Sequence, residues 1–359
     1  MSTLRWRAIP YERALPRPIQ TAHGSYETRA GFLVQVVSDT GEYGLGDVAP
    51  LPGFSLETLD EVRRAWDTLT SPLTGVELPA RIEALAAAVA ELGPLAPSLR
   101  FGIETALADL AAHIQGIALA AWLSPKAASR VPVNGLISEQ STDAAVATLR
   151  ARYRDGYRCF KVKAGVDAVD RDIQRIHALC DAFDDVDIRV DVNGGWREDQ
   201  LRAASAALAD VKLEFIEQPL PVGQAESARA VTREFGIRLA LDEDIATVDA
   251  GLQMLQSDLC DVIVVKPMMV GGLTGAWRLA RVAADFSKEV VFTTAWESDV
   301  GVTATLHLCA ACGLDAGTAG LSTAGMIADG LVQPALQIVN AGLDIPDRSG
   351  LGLSLVDGV

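Results

Sequence analysis

Positive charge is scarce in this chain. Against 47 aspartates and glutamates stand only 31 lysines and arginines, a formal net charge of −16 over 359 residues. Nucleic-acid binding needs clustered cations to neutralise phosphates, so that class of partner is excluded. The acidity is spread along the chain and reads as a device for solubility. Long apolar runs are missing too. No stretch approaches the roughly 18 residues a membrane span needs, and residues 1–10 contain no apolar leader core. Neither a membrane span nor a signal peptide is expected, and the expected location is the cytoplasm. Cysteines number five, an odd count without disulfide-framework spacing. Cys309 and Cys312 form a Cys-x-x-Cys, but they lie in or beside an apolar helical run, 301–311, with no second Cys or His pair at zinc spacing. Ordinary buried thiols are expected. Aromatics are only 6 % of the chain beside 31 glycines, which suits an alanine-rich α/β protein better than a β-sandwich.

What is present begins with strands grouped before helices. Residues 4–9, 31–38 and 41–48 read as strands, and 55–69, 80–92 and 100–115 carry helical periodicity. That grouping suggests a separate α+β domain. From about residue 131 the pattern changes to strict alternation. Apolar strand-like runs at 131–136, 159–163, 187–192, 213–217, 238–242, 261–266 and 290–294 are separated by amphipathic helices, with 314–321 as an eighth strand. Such a series predicts a parallel barrel with its site at the C-terminal strand ends. A doubly wound open sheet is the alternative, but no Gly-x-Gly-x-x-Gly follows the first strand to support its nucleotide-binding form. The expected organisation is an α+β capping domain over 1–125, completed by a returning tail, 333–359, and a (β/α)7β barrel over 126–332.

Five ionisable residues recur through the barrel: Lys163, Asp191, Glu217, Asp242 and Lys266, at intervals of 28, 26, 25 and 24 residues. Each ends, or just follows, an apolar strand. The interval is one strand-plus-helix unit, so the five should converge at one end of the barrel. A lone carboxylate after a strand is often only a helix cap, but three at matched positions point to a shared task. Oxygen donors without Cys or His select Mg²⁺ or a similar cation such as Mn²⁺. Lys161 and Lys163 share one face of their strand because side chains alternate with period two. Two ammonium groups so close should disfavour each other's protonation and prepare a base. Lys266 faces them across the mouth. Such a set can remove a proton α to a carboxylate, with the metal holding the charge that develops.

The segments Lys161-Val162-Lys163, Asp191-Val192-Asn193, Ile216-Glu217-Gln218-Pro219, Leu241-Asp242-Glu243 and Val265-Lys266-Pro267 closely resemble those of the enolase superfamily, in its muconate-lactonizing subgroup. The resemblance implies a capping domain over a (β/α)7β barrel. It also implies three carboxylates on Mg²⁺ (Asp191, Glu217, Asp242), catalytic Lys163 and Lys266, and a small carboxylate substrate; homo-oligomers are compatible with it. Lys161, Arg189, Asn193 and Glu243 would support the site. Within the subgroup the o-succinylbenzoate synthase family is the nearest in pattern. The segment Gly44–Ser55 resembles its second capping loop, and Thr21-Ala22-His23-Gly24 its first. Glu297-Ser298 resembles its segment after the seventh strand. By that resemblance His23, Phe54, Ser55, Glu297, Ser298 and Asp315 would touch substrate, and the reaction would be a syn dehydration.

Two departures stand out. Glu243-Asp244 replaces a common Glu-Ser, adding a negative charge near the metal, and Asp299 replaces a small polar residue. The rival reading is an N-acylamino acid racemase or dipeptide epimerase using the same five residues. Dipeptide epimerases carry Asp-x-Asp on the eighth strand, whereas the stretch here compared with it, 314–317, has Asp315 alone. A non-catalytic binding protein on the same scaffold is a third reading, disfavoured by the cost of keeping five polar groups in a barrel mouth. His307, inside a helix, is expected to be a packing histidine, and Trp196 and Trp296 are expected to be buried aromatics.

Overall fold

The computed structural model describes residues 4–21, 24–69, 73, 76–313, 318–325 and 330–358. The first part is an antiparallel sheet of order β1-β2-β3, from β1 (Arg5–Thr21), β2 (Gly24–Val37) and β3 (Tyr43–Val48). The hairpin of β1 and β2 is much longer than the sequence pattern suggested. Pro10 pairs opposite Phe32 and the pairing continues to Thr21 opposite Gly24, with a register shift between Ala14 and Ile19. Proline reads as a strand breaker, but β1 is an edge strand, where a missing N–H costs nothing.

Four helices follow: α1 (Leu59–Leu69), α2 (Ile82–Ala90), α3 (Pro97–Ile114) and α4 (Leu119–Leu123). Helix α3 is buried along nearly its whole length and lies against β3. Glycines permit the approach: a Cβ on Gly46 would stand 1.8 Å from the Gly102 carbonyl oxygen. Only a residue without a side chain lets strand and helix backbones come this close.

The barrel strands are β5 (Gly135–Ile137), β6 (Cys159–Lys163), β7 (Asp187–Asp191), β8 (Phe215–Glu217), β9 (Leu239–Leu241), β10 (Val262–Val265) and β11 (Glu289–Phe292), all parallel neighbours in that order. Between and after them run α5 (Thr142–Arg154), α6 (Val169–Cys180), α7 (Glu198–Leu208), α8 (Ala225–Glu234), α9 (Val248–Gln256), α10 (Pro267–Val270), α11 (Leu273–Asp285) and α12 (Asp299–Cys312). Apart from the charged residues of β6, β7, β8 and β11 the strands are apolar, as expected where both faces are covered. Closure comes from Ala319 and Gly320, which bridge to Val133 and Thr293 respectively. The Ala319 amide donates to the Pro132 carbonyl and the Gly320 amide to that of Phe292. The fold is therefore a (β/α)7β barrel with a mixed α/β region before it.

One expectation is corrected here. Residues 131–136 are not one strand: β4 (Arg130–Pro132) pairs antiparallel with β13 (Gly342–Asp344), and the first barrel strand begins only at Gly135. Pro132 has no N–H to carry on a parallel ladder. The eighth strand expected over 314–321 holds the closing residues Ala319 and Gly320; 314–317 lie outside the described residues. After it come β12 (Val332–Gln333), which pairs with β14 (Ser354–Leu355), and a tail that returns to α3 and α4. The Leu119 amide donates to the Gly350 carbonyl, and the Leu351 amide to Asp109 Oδ1 at 2.6 Å. All five cysteines are free. Among the described residues no helix is long and apolar enough to cross a membrane.

Candidate active site

Strand register explains the spacing of the five groups. Lys163 lies opposite Asp191, Asp191 opposite Glu217, and Glu217 opposite Ala240. Asp242 is therefore one inward-facing step above that row, since side chains on one face recur every second residue. Ala240 lies opposite Val262, so Lys266 stands two steps above the row, one beyond Asp242. The groups form a rising line around half of the barrel's C-terminal mouth.

The side chains interlock. Lys161 Nζ lies 2.7 Å from both Asp191 Oδ2 and Glu217 Oε1. Lys163 Nζ donates to Asp191 Oδ2 and to Asn193 Oδ1, each at 2.7 Å. Asn193 Nδ2 donates to Glu243 Oε1 at 2.9 Å, and the Asn193 amide to Asp191 Oδ1 at 3.1 Å. Lys266 Nζ pairs with Asp242 Oδ1. Asp191, Glu217 and Asp242 are all buried. Of the three lysine side chains, Lys163 is the most accessible, 32 % exposed against 16 % for Lys161 and 17 % for Lys266.

The electrostatics differ from the expectation that two neighbouring ammoniums would depress a lysine pKa. Burial does act to lower Lys161, but Asp191, Glu217 and Asp242 outweigh it and raise the pKa. Lys266 is likewise raised, with Asp242 and Glu243 overcoming burial. Burial acts to raise Asp191, yet Lys161 and Lys163 pull it below the usual carboxylate range. Glu217 goes the other way, pushed up by burial and then by Asp191, with Lys161 opposing. Glu243 is also raised, by burial and then Asp242, and its Oε2 is buried with no hydrogen-bond partner.

Four acidic groups against three lysines leave negative charge in excess, and the raised Glu217 and the orphaned Glu243 oxygen both register it. A hard divalent cation fits that donor set and that charge. Asp191, Glu217 and Asp242 are the residues that would hold it. As the side chains stand, Lys161 is wedged between the first two, and among the described residues no three acidic, His or Cys groups are drawn together around one point.

Other expected site residues have different places. Arg189 is on the correct face of β7 but two residues deeper than Asp191. It grips Glu214 with two bonds of 2.7 and 2.9 Å and donates to the Thr318 carbonyl, not to the carboxylates above. Glu297 and Ser298 meet the first sheet. Ser298 donates to Asp47 Oδ2 through both its amide and its hydroxyl, each at 2.8 Å, and Glu297 Oε2 accepts from the Ala295 amide. Neither contact is to the carboxylate cluster. Ser55 Oγ accepts from the Leu51 amide, and the Phe54 amide donates to the Leu51 carbonyl, so both residues shape the turn after β3. His23 and Asp315 lie outside the described residues. Asp244 is bonded elsewhere: it accepts from Gln218 Nε2 at 2.7 Å and the Gly223 amide at 2.9 Å. His307 is a packing residue, accepting from the Ala120 amide through Nδ1, and burial lowers its pKa to about 4. Trp196 is buried and donates to Asp172, whereas Trp296 packs with Leu15 and Tyr26 of the long hairpin.

Gln218 was missed. Its Oε1 accepts from the amides of Asp242 and Asp244, at 3.1 and 3.3 Å, and so fixes the strand end that carries Asp242. Its position directly after Glu217 was the signal in the sequence; the structure adds its φ of 38°, uncommon for a non-glycine residue.

Comparison with known proteins gives the family. Residues 144–359 match the family described as enolase C-terminal domain-like, and residues 11–110 match the one described as MenC, N-terminal domain. The L-Lys-D/L-Arg epimerase of Methylococcus capsulatus is 28 % identical over 353 residues, 96 % of each chain. The o-succinylbenzoate synthase of Thermosynechococcus vestitus is 26 % identical over 313 residues, 85 % of this chain and 88 % of that one. Among solved structures, the Methylococcus capsulatus dipeptide epimerase complexed with Mg and the dipeptide L-Arg-D-Lys superposes with a TM-score of 0.87 at 26 % identity, covering 98 % of this chain and 99 % of that one. With well over half its length matching the C-terminal profile alone, the chain belongs to the enolase superfamily of enzymes.

Proposed function

We propose that this chain is a Mg²⁺-dependent o-succinylbenzoate synthase. It would remove water, in syn fashion, from a 2-succinyl-6-hydroxycyclohexadiene carboxylate in the route to menaquinone. The observation that carries the choice of substrate is the end of the eighth strand. With Ala319 and Gly320 in the ladder, the residues next toward the mouth are Leu321, Ser322 and Thr323. Thr323 shares a 2.6 Å hydrogen bond with Thr294 at the end of the seventh strand. A dipeptide's ammonium would find hydroxyls there in place of the Asp-x-Asp of dipeptide epimerases. A substrate whose charges are carboxylates does not need that pair. The match of residues 11–110 to the MenC N-terminal domain and the 26 % identical synthase support the same reading.

In this reading Lys163 Nζ takes the proton α to the ring carboxylate. The 2.7 Å bonds from Asp191 and Asn193 fix its Nζ, and its exposure leaves it open to substrate. Mg²⁺ (or Mn²⁺), when bound by Asp191, Glu217 and Asp242, supplies the Lewis acidity that neutralises the substrate carboxylate. The ammonium charge of Lys266 faces the negative charge that develops on the substrate. The Lys163 ammonium then returns its proton to the departing hydroxyl. The C–O bond breaks, water leaves, and the ring becomes aromatic. Atoms and charge balance without a further reactant.

The second reading, epimerisation of a dipeptide or racemisation of an N-acylamino acid, is favoured by the 28 % identical epimerase and by the presence of a lysine on each side of the mouth. The two are separated by offering each substrate in deuterated water. The synthase reading expects an aromatic product from the cyclohexadiene and no deuterium in a dipeptide. Deuterium entering a dipeptide with inversion, and no aromatic product, would replace it with the epimerase.

A further inference from the structure

A buried ion pair outside the carboxylate cluster, on α6, reaches the main chain of Lys163. Asp172 and Arg175 are both inaccessible to solvent and lie 2.6 Å apart. Arg175 Nη2 also donates to the carbonyl oxygen of Lys163 at 2.9 Å. Its Nη1 donates to the carbonyl and the side-chain oxygen of Gln140, at 3.0 and 3.1 Å, in the loop after β5. Asp172 Oδ2 accepts from the Gly165 amide at 2.8 Å, just beyond β6, and from Trp196 Nε1 at 3.2 Å, in the loop after β7. The backbones are close-packed at this point: a Cβ on Gly165, whose φ is +84°, would stand 2.7 Å from the Val192 carbonyl oxygen.

We infer that the Asp172–Arg175 pair is a positioning device for Lys163, stapling three consecutive mouth loops and holding the carbonyl of the residue that moves the proton. Burying two charges is costly, and a well-packed apolar pair often stabilises a fold as well or better. Stability alone is therefore a poor reason for this pair. Its directionality supplies another: a planar guanidinium fixes several acceptors at once, which no apolar side chain can do. Lys163 has its Nζ held by Asp191 and Asn193 and its carbonyl held by Arg175, so both ends of the residue are located.

The inference rests on the assignment of Lys163 as base. Removing one charge alone risks unfolding by stranding the other, so the test uses the charge-neutral double variant Asp172→Asn with Arg175→Gln, beside Arg175→Lys. In the Mg²⁺-loaded enzyme assayed with the cyclohexadiene carboxylate, kcat of the double variant should fall about 10²-fold, the scale of a misplaced reacting group. KM should stay within about threefold, the protein should remain folded by circular dichroism, and Arg175→Lys should recover part of the loss. Amide hydrogen exchange over residues 138–141, 163–166 and 194–197 should quicken while the rest of the barrel is unchanged. An unchanged kcat with unchanged exchange would overturn the inference, as would a loss of activity matched by loss of folded protein. A wild-type enzyme inactive on this substrate would count against the functional reading instead, and the exchange measurement would then decide the staple by itself.

Discussion

Lys163 and Asp47 show how differently single residues disclose themselves. Lys163 was legible because strand-end chemistry repeats at the period of the fold, so its partners Asp191 and Glu217 could be found by counting. Asp47 was not singled out, because its partner Ser298 is 251 positions away and no local pattern connects them. Arg189 was misjudged for a third reason: alternation gives the face a side chain occupies, but not how deep it sits in the barrel. On the proposed mechanism, replacing Lys163 with alanine should reduce turnover by at least about 10³-fold, in the upper part of the range of general acid–base assistance, since the same group would be both base and acid. The fold and Mg²⁺ affinity, checked by circular dichroism and calorimetric titration, should remain. Glu297 provides a pH-dependent counterpart. Burial is the largest influence on its carboxyl and pushes the pKa up to about 7, against 4.5 for an ordinary glutamate. The native chain therefore binds more protons there than the unfolded one between those values. Its contribution to stability is full below about pH 4.5 and is lost as pH rises through about 7. Glu297→Gln should become more stable relative to wild type by up to about 3 kcal/mol between pH 4.5 and 8, as read by urea unfolding. A difference that stays flat over that range would refute this account of Glu297.

At the scale of elements, the barrel strands and their order follow from alternation of short apolar runs with amphipathic helices. What alternation could not supply was the length of the β1–β2 hairpin, where Pro10 and the prolines beyond it obscure a strand that pairing with β2 sustains. Nor could it supply the seam between that sheet and the loop after β11, which is built from side chains meeting main chain. Arg29 is one half of the seam. It donates to the carbonyls of Pro50, at 3.1 Å, and Ala49 on one side, and to those of Trp296, at 2.9 Å, and Ala295 on the other. Asp47 is the other half, accepting from Tyr11 Oη at 2.9 Å as well as from Ser298. Asp47→Ala leaves those donors without their acceptor and should lower stability by about 2–3 kcal/mol, while Ser298→Ala should cost about 1 kcal/mol. Denaturant titration of the two variants checks the ratio. Equal costs would mean that Asp47 matters to Ser298 alone.

For the whole molecule, the register of the sheet turns a nearly constant sequence interval into a rising line of charges around half of one mouth. Four acids against three lysines make that line electrically incomplete, and a divalent cation would complete it. Treating the purified enzyme with a chelator should abolish turnover, and adding Mg²⁺ should restore it; Mn²⁺ should substitute at least in part. Activity that survives thorough chelation would contradict the assignment of Asp191, Glu217 and Asp242. The sequence leads as far as this reaction class. On the proposed reading, substrate choice would belong to the ends of the seventh and eighth strands, where Thr294 meets Thr323 across 29 positions of sequence.

In the proposed mechanism Lys163 removes an α-proton and returns it to a leaving hydroxyl. This mechanism is tested most directly by following ultraviolet absorbance as the Mg²⁺-loaded enzyme, and in parallel its Lys163→Ala variant, is mixed with the 2-succinyl-6-hydroxycyclohexadiene carboxylate. The account predicts a rise in aromatic absorbance with the wild type and none above background with the variant. A variant that dehydrates the substrate at a rate comparable to wild type would contradict it.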